Sequence, residues 1–217
     1  MRIGVFDSGI GGQAVAISLQ AILPEAEIIS VADQANMPYG SRPPDEIIRL
    51  TKSAIQPLIT QKCDVIVIAC NTATTVAISE LRLTYPSTNF IGIEPMIRPA
   101  AQITVTKRIA VCATPRTLQS QRYRQLKQLW AQNIDIVEPD CRHWADLIEH
   151  GRSNDIDLES TFGPLVASGI DVIVLGCTHY HWLKQRIDDL VGPNVVVLEP
   201  SMAIARRIQD ITKTTVG

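Results

Sequence analysis

Short runs rich in Val and Ile alternate along the chain with longer stretches of helical period. This pattern predicts βαβ units around mostly parallel sheets. The strand-like runs fall at residues 2–6, 27–31, 65–69, 89–91, 108–111, 134–137, 172–175 and 195–198. Helical spacing covers 12–22, 45–60, 73–83, 118–129, 158–167, 181–190 and 202–211. Residues 33–44 break the pattern: Pro38-Tyr39-Gly40-Ser41 and the Pro43-Pro44 pair predict a loop in which helix is forbidden.

An internal repeat sharpens this reading. Asp64-Val65-Ile66-Val67-Ile68-Ala69-Cys70 recurs as Asp171-Val172-Ile173-Val174-Leu175-Gly176-Cys177, 107 residues further on. Arg2-Ile3-Gly4-Val5 recurs as Arg108-Ile109-Ala110-Val111 after 106 residues, and Ile93-Glu94-Pro95 as Leu198-Glu199-Pro200 after 105. One such match is what buried strands produce by chance; three in the same order at nearly one offset are not. The chain reads as two copies of one α/β unit.

Composition narrows the chemistry. With 20 Lys+Arg against 22 Asp+Glu in 217 residues, the formal charge of −2 gives no electrostatic footprint for nucleic acid or an anionic membrane. A small molecule is the expected partner. No apolar run approaches the roughly 20 residues that span a bilayer. The apolar Ile3–Phe6 run stops at Asp7, too short for a secretory leader, so the mature chain is expected to start here. Five cysteines without a CxxC pair argue against a disulfide framework or structural zinc, and predict free thiols in a reducing cytoplasm.

Ligands of open α/β sheets bind at the carboxyl ends of the strands, and each repeat places a cysteine there. Cys70 precedes Asn71-Thr72-Ala73 and Cys177 precedes Thr178-His179-Tyr180, so each thiol ends a strand and meets the start of the next helix. Such a location favours the thiolate through the helix dipole and free backbone N–H groups, and those groups also suit a carboxylate. Either cysteine alone reads as a small buried hydrophobe; their equivalence in the repeat points to a pair. A thiol on each side of a ligand fits a stereoinverting proton transfer, one sulfur removing a proton from one face of a carbon and the other returning one to the opposite face. Asp7, ending the first strand, is placed to accept from Cys70 or from a substrate ammonium group, and His179 to tune or relay the proton of Cys177. An N-cap role for Asp7-Ser8 is the structural alternative.

Rival readings exist. Gly9-Ile10-Gly11-Gly12-Gln13-Ala14 follows a strand and has Asp33 nineteen residues beyond it, a formal match to the dinucleotide fingerprint of an NAD-dependent oxidoreductase. Against it, Asp7 sets a negative charge where a pyrophosphate would lie, and both cysteines go unexplained. A metal site from Cys177, His179 and His181, with Cys70 as a fourth ligand, conflicts with His181 opening a helix. A non-enzymatic binding or structural role leaves the matched thiols without a reason.

Ile3-Gly4-Val5-Phe6-Asp7-Ser8-Gly9-Ile10-Gly11-Gly12, Asp33 with Pro38-Tyr39-Gly40, Ala69-Cys70-Asn71-Thr72-Ala73, Ala113-Thr114-Pro115 and Gly176-Cys177-Thr178-His179-Tyr180 resemble, in order, the signature blocks of glutamate racemases in the aspartate/glutamate racemase superfamily. The resemblance implies an α/β fold of two similar three-layer domains with mostly parallel sheets, related by a pseudo-twofold, with the active site in the cleft between them. It implies domains at 1–97 with 200–217 and at 98–199, the final helix returning to the first. It further implies a pyridoxal-phosphate-independent racemase, needing no cofactor or metal, that acts on a small acidic amino acid. Homodimers are expected, with no nucleic-acid or membrane partner. Cys70 and Cys177 would be the acid/base pair, Asp7 assisting the first and His179 the second, with Glu149 also on the Cys177 side. Ser8, Tyr39, Gly40, Ser41, Asn71, Thr72, Thr114, Thr117 and Thr178 match positions that bind the substrate's carboxylates and ammonium group. The family role is supply of D-glutamate for peptidoglycan.

Two stretches depart from the family pattern. Gln34-Ala35-Asn36 replaces Thr-Ala-Arg, and Cys141-Arg142-His143-Trp144-Ala145-Asp146 replaces an apolar, proline-containing run. Trp144 and Arg142 are expected near the pocket wall. Glutamate and aspartate differ by one methylene, worth about 1–3 kcal/mol in a pocket, so an aspartate racemase of the same mechanism is the alternative.

Overall fold

The computed structural model describes residues 1–215 of the chain. Its contacts divide the chain into two units, Met1–Glu94 with Pro200–Gly217, and Pro95–Glu199. In the first unit the order is β1 (Arg2–Asp7), α1 (Gly11–Ile22), β2 (Glu27–Ala32), α2 (Pro44–Ala54), α3 (Gln56–Thr60), β3 (Val65–Ile68), α4 (Asn71–Thr84) and β4 (Asn89–Gly92). The second runs α5 (Ile97–Ile103), β5 (Arg108–Cys112), α6 (Pro115–Gln119), α7 (Gln121–Trp130), β6 (Asp135–Val137), α8 (Trp144–Glu149), α9 (Leu158–Ala167), β7 (Val172–Leu175), α10 (Lys184–Val191) and β8 (Val196–Leu198). The last helix, α11 (Ser201–Thr215), belongs to the first unit.

Each unit holds a four-stranded sheet, ordered β2-β1-β3-β4 and β6-β5-β7-β8, with every pairing parallel. Parallel neighbours require crossovers, and the helices supply them while covering the sheet faces. In the first sheet Ile3, Val5, Val65 and Val67 pack with Val15 and Leu19 of α1 and Ile204 and Ile208 of α11. Their alternates Phe6, Ile66 and Ile68 turn to the other face and meet Ile47, Leu58, Ala77 and Leu81 of α2, α3 and α4. Burial on both faces explains why the central strand reads Val-Ile-Val-Ile with no polar alternation. In the second unit Ile109, Val111, Val172 and Val174 pack on Ile97 and Ala100 of α5 and Tyr123 and Leu126 of α7.

The sequence repeat is also a repeat of hydrogen bonds. Asp64 N–H donates to the Arg2 carbonyl at 2.8 Å, and Asp171 N–H to that of Arg108 at 3.4 Å. Where the central strands end, Ala69 N–H donates to Phe6 and Gly176 N–H to Cys112, both at 2.7 Å. Gly176 stands where the first unit has Ala69 because a Cβ there would lie 3.0 Å from Ala113 Cβ and 3.2 Å from the Cys112 carbonyl oxygen.

Several helices differ from the pattern-based expectation, each for a local reason. The helix expected over 45–60 breaks at Ile55, and α3 restarts with Pro57 in its first turn, where the missing N–H costs nothing. The one expected over 118–129 is two helices parted by Ser120, which is extended and caps α7 by accepting from Tyr123 N–H at 3.1 Å. His181 does not open a helix: Thr178–Leu183 is a 3₁₀ segment and α10 begins at Lys184. The 33–44 loop contains short 3₁₀ turns at Gln34–Asn36 and Tyr39–Ser41, and α2 begins on Pro44. Helices α5 and α8, of seven and six residues, have no counterpart in the predicted pattern. Among the described residues no helix is long and apolar enough to cross a membrane.

Candidate active site

In the first unit, β3 ends at Ile68 and α4 starts at Asn71, which makes Cys70 the N-cap. Its Sγ accepts from Ala73 N–H at 3.4 Å, in the place an N-cap oxygen normally takes. β1 neighbours β3 in the sheet, so Asp7 leaves the same edge of it as Cys70. Asp7 is buried, and its Oδ1 accepts from Gly9 N–H at 2.9 Å. The Ser8 hydroxyl lies between the two groups, 3.4 Å from Asp7 Oδ1 and 3.3 Å from Cys70 Sγ. The contact of Ser8 with the thiol is not readable from the sequence.

The same geometry corrects two readings of this segment. The N-cap of α1 is Ile10 and carries no side-chain cap, so Asp7-Ser8 does not serve that purpose. The glycine run is shaped around the Asp7 carboxylate: a Cβ on Gly12 would lie 2.6 Å from Asp7 Cβ, so only glycine lets α1 approach this closely. The Gly9 N–H that a pyrophosphate would need is already given to Asp7. Asp33, the acid nineteen residues on, accepts from Tyr39 Oη at 2.7 Å and Asn36 Nδ2 at 2.9 Å. It organises its own loop.

Burial and the Asp33 carboxylate push the Tyr39 phenol far above its usual range, so this hydroxyl stays protonated. Tyr39 shares the core cluster of Cys70. Gly40 is half-buried beside it. Ser41 is exposed and its Oγ donates to the Pro38 carbonyl at 3.2 Å, a local turn contact. Asn71, Thr72 and Thr74 are buried at the start of α4, and Asn71 Oδ1 has no hydrogen-bond partner.

In the second unit Cys177 follows β7 and precedes the 3₁₀ segment, with no backbone amide capping its sulfur. Its Sγ instead lies 3.7 Å from His179 Nδ1. His179 Nε2 lies 2.5 Å from Glu149 Oε1, both side chains being no more than a tenth exposed. A carboxylate only accepts, so Glu149 assigns the proton to Nε2 and leaves Nδ1 facing the sulfur. Nδ1 then either accepts the S–H proton or, as imidazolium, donates to the thiolate. This is the nucleophile–base–orienter arrangement in which each group fixes the next. The position equivalent to Asp7 is Ala113, followed by Thr114. The carboxylate helper of this unit therefore arrives from α8 through an imidazole. Thr114 Oγ1 caps α6 at Thr117 N–H (3.4 Å) and lies 3.1 Å from Thr117 Oγ1, while Thr178 is buried beside Cys177.

Trp144 is not an open wall residue. It is buried in a core of aromatic rings, edge-on to Tyr180 at 5.3 Å and to Phe162 at 6.0 Å between centroids. Arg142 points outward and pairs with Asp140 at 2.8 Å. Trp144 is therefore spent on packing, while Arg142 lines a cavity with Ala113 and Pro115 at the carboxyl end of β5.

Among the described residues no group of three or more His, Cys, Asp or Glu is arranged to hold a metal. His179 is committed to Glu149. Both ring nitrogens of His181 are buried without a hydrogen-bond partner, Nδ1 standing 3.8 Å from Glu199 Oε2. Burial pulls the His181 pKa from 6.5 to about 4, against the opposing pull of Glu199. Between those values the unfolded chain holds a proton that the folded chain does not, so stability falls as pH falls through this window. The loss reaches about 2 kcal/mol at pH 5. Urea unfolding at pH 7 and pH 5 should show a pH-dependent loss smaller by that amount in His181→Gln; equal losses would assign the slope to other groups.

The sequence profile described as Asp/Glu/Hydantoin racemase matches residues 13–208. A glutamate racemase of Herpetosiphon aurantiacus is 40% identical over 214 residues, covering 95% of this chain and 83% of its own. The Escherichia coli glutamate racemase, solved with L-glutamate and the activator UDP-MurNAc-Ala, superposes with a TM-score of 0.86 at 25% identity, over 98% of this chain and 82% of that one. The Francisella tularensis enzyme, solved with D-glutamate, gives 0.76 at 27% identity, over 99% and 81%. With profile, relatives and structures in agreement over nearly its whole length, the chain belongs to the Asp/Glu/hydantoin racemase family.

Proposed function

We propose that this protein is a glutamate racemase that interconverts L- and D-glutamate by two-base proton transfer at Cα, Cys70 and Cys177 acting on opposite faces. The observation that carries the reading is the pairing of strand-end thiols at equivalent points of a repeated fold, each with a buried carboxylate in its network. One thiolate removes the α-proton; the other thiol protonates the opposite face, and the reverse reaction exchanges their roles. Asp7 acts on the Cys70 side with Ser8 between carboxylate and sulfur. His179 takes and returns the Cys177 proton through Nδ1, and Glu149 stabilises the imidazolium.

Asn71 Oδ1, a buried acceptor without a protein partner, suits the substrate ammonium group. By resemblance, Ser8, Tyr39, Gly40, Ser41, Thr72, Thr114, Thr117 and Thr178 contribute the remaining polar contacts to the substrate. A homodimer and a role in supplying D-glutamate for peptidoglycan belong to the same reading. The test is incubation of the purified protein in D₂O with L-glutamate, D-glutamate and L-aspartate separately. Loss of optical rotation with α-deuterium incorporation is expected with both glutamate enantiomers. Faster turnover of aspartate would overturn the substrate assignment, and no exchange with any of them would overturn the racemase reading.

A further inference from the structure

Tyr180 directly follows His179 and is fully buried. Its hydroxyl donates to the Cys141 carbonyl at 2.8 Å, and its ring stands edge-on to Trp144. Trp144 is the first residue of α8 and Glu149 is the last. Cys141 itself closes the start of this segment, accepting from Trp144 N–H at 3.1 Å. The two partners of the imidazole–carboxylate contact thus flank one junction: His179 is a single peptide bond from Tyr180, and Glu149 is little more than one helical turn from Trp144.

We infer that Tyr180 is a positioning residue for the Cys177 side of the reaction, its hydrogen bond to Cys141 and its contact with Trp144 holding the Cys177–His179 turn in register with α8 and Glu149. This rests on the racemase reading above. The phenol serves as a fixed donor, because it faces a carbonyl that only accepts and burial holds its pKa far above the working range. The comparison between units explains the need. At the equivalent place the first unit has Ala73, inside the regular helix α4, whose backbone N–H itself meets Cys70. The second unit has a 3₁₀ segment there, held locally by Tyr180 N–H donating to the Cys177 carbonyl at 3.0 Å but with no backbone amide on the sulfur, so its register against α8 is left to tertiary contacts. Misplacement of a reacting group by about 1 Å can cost about 10²-fold in rate, and a relay of three groups is exposed to such errors twice.

Tyr180→Phe removes the hydroxyl and keeps the ring. The enantiomers have equal free energies in water, so kcat/KM must fall equally in both directions, here by about tenfold. The substrate isotope effects are not so constrained. With α-deuterated substrates the effect should rise for the enantiomer whose α-proton leaves toward Cys177 and fall toward unity for the other, whose slow step becomes reprotonation by Cys177. Exchange in the Cys70→Ser variant identifies that enantiomer. Trp144→Phe should give smaller changes in the same opposite directions, and it carries the test if Tyr180→Phe does not fold. Isotope effects that move together, or unchanged kinetics in a variant melting within a few degrees of wild type, would overturn the inference. A wild-type protein that racemises neither enantiomer would instead overturn the reading beneath it.

Discussion

Replacing either Cys70 or Cys177 by serine is expected to slow racemisation by about 10³-fold or more, since each variant loses the acid/base on one face of the substrate. An alcohol holds its proton far more tightly than a thiol near neutral pH, so the replacement fits the space and fails the chemistry. The loss corresponds to about 4 kcal/mol of barrier, well beyond the effect of an ordinary packing defect on a folded enzyme. The sharper expectation concerns what survives. In D₂O the remaining thiol can still remove and return a proton on its own face, so each variant should exchange the α-hydrogen of one enantiomer without inverting it. The silent enantiomer should differ between the two variants. Mass spectrometry of recovered substrate with chiral chromatography reads both results. A single variant that retains more than about a tenth of wild-type racemisation would exclude a mechanism in which both thiols are obligatory.

The strands and the thiol pair were legible in the sequence for the same physical reason. A parallel sheet buried on both faces demands uninterrupted Val and Ile, and its carboxyl edge is where the polar residues Asp7, Cys70, Cys177 and His179 first become possible. Helix boundaries were less legible where a polar side chain decided them. Ser120 ends one helix and caps the next through its own hydroxyl, and periodicity across 118–129 carries no trace of that. Glu149 marks the limit of spacing as a guide. Thirty residues separate it from His179, and only the resemblance to known racemases connected them; the fold brings them to 2.5 Å through a six-residue helix too short for a hydrophobic period to announce. Trp144 was misplaced for a related reason. A bulky side chain near the site reads as a pocket wall until its contacts with Tyr180 and Phe162 show it to be packing.

Glu149 and His179 should behave as one unit under mutation. Glu149→Gln keeps a hydrogen-bond acceptor near Nε2 but removes the charge that stabilises an imidazolium, and His179→Asn removes the relay itself. Each is expected to slow racemisation by about 10²-fold. The double variant should be little slower than the worse single one, because a carboxylate that acts only through the imidazole has nothing left to do once the ring is gone. Stability should show the complementary pattern. The Glu149 and His179 side chains are 6% and 10% exposed, so His179→Asn removes a buried hydrogen bond to the Glu149 carboxylate, a change that typically costs about 1–3 kcal/mol. Adding Glu149→Gln removes that charge and should recover part of the loss, giving a coupling of about 0.5–3 kcal/mol in urea unfolding. Additive losses in both rate and stability would mean that the two side chains work independently. The second thiol would then have to be served by a different proton path, and the asymmetry between a carboxylate beside Cys70 and an imidazole beside Cys177 would need another explanation.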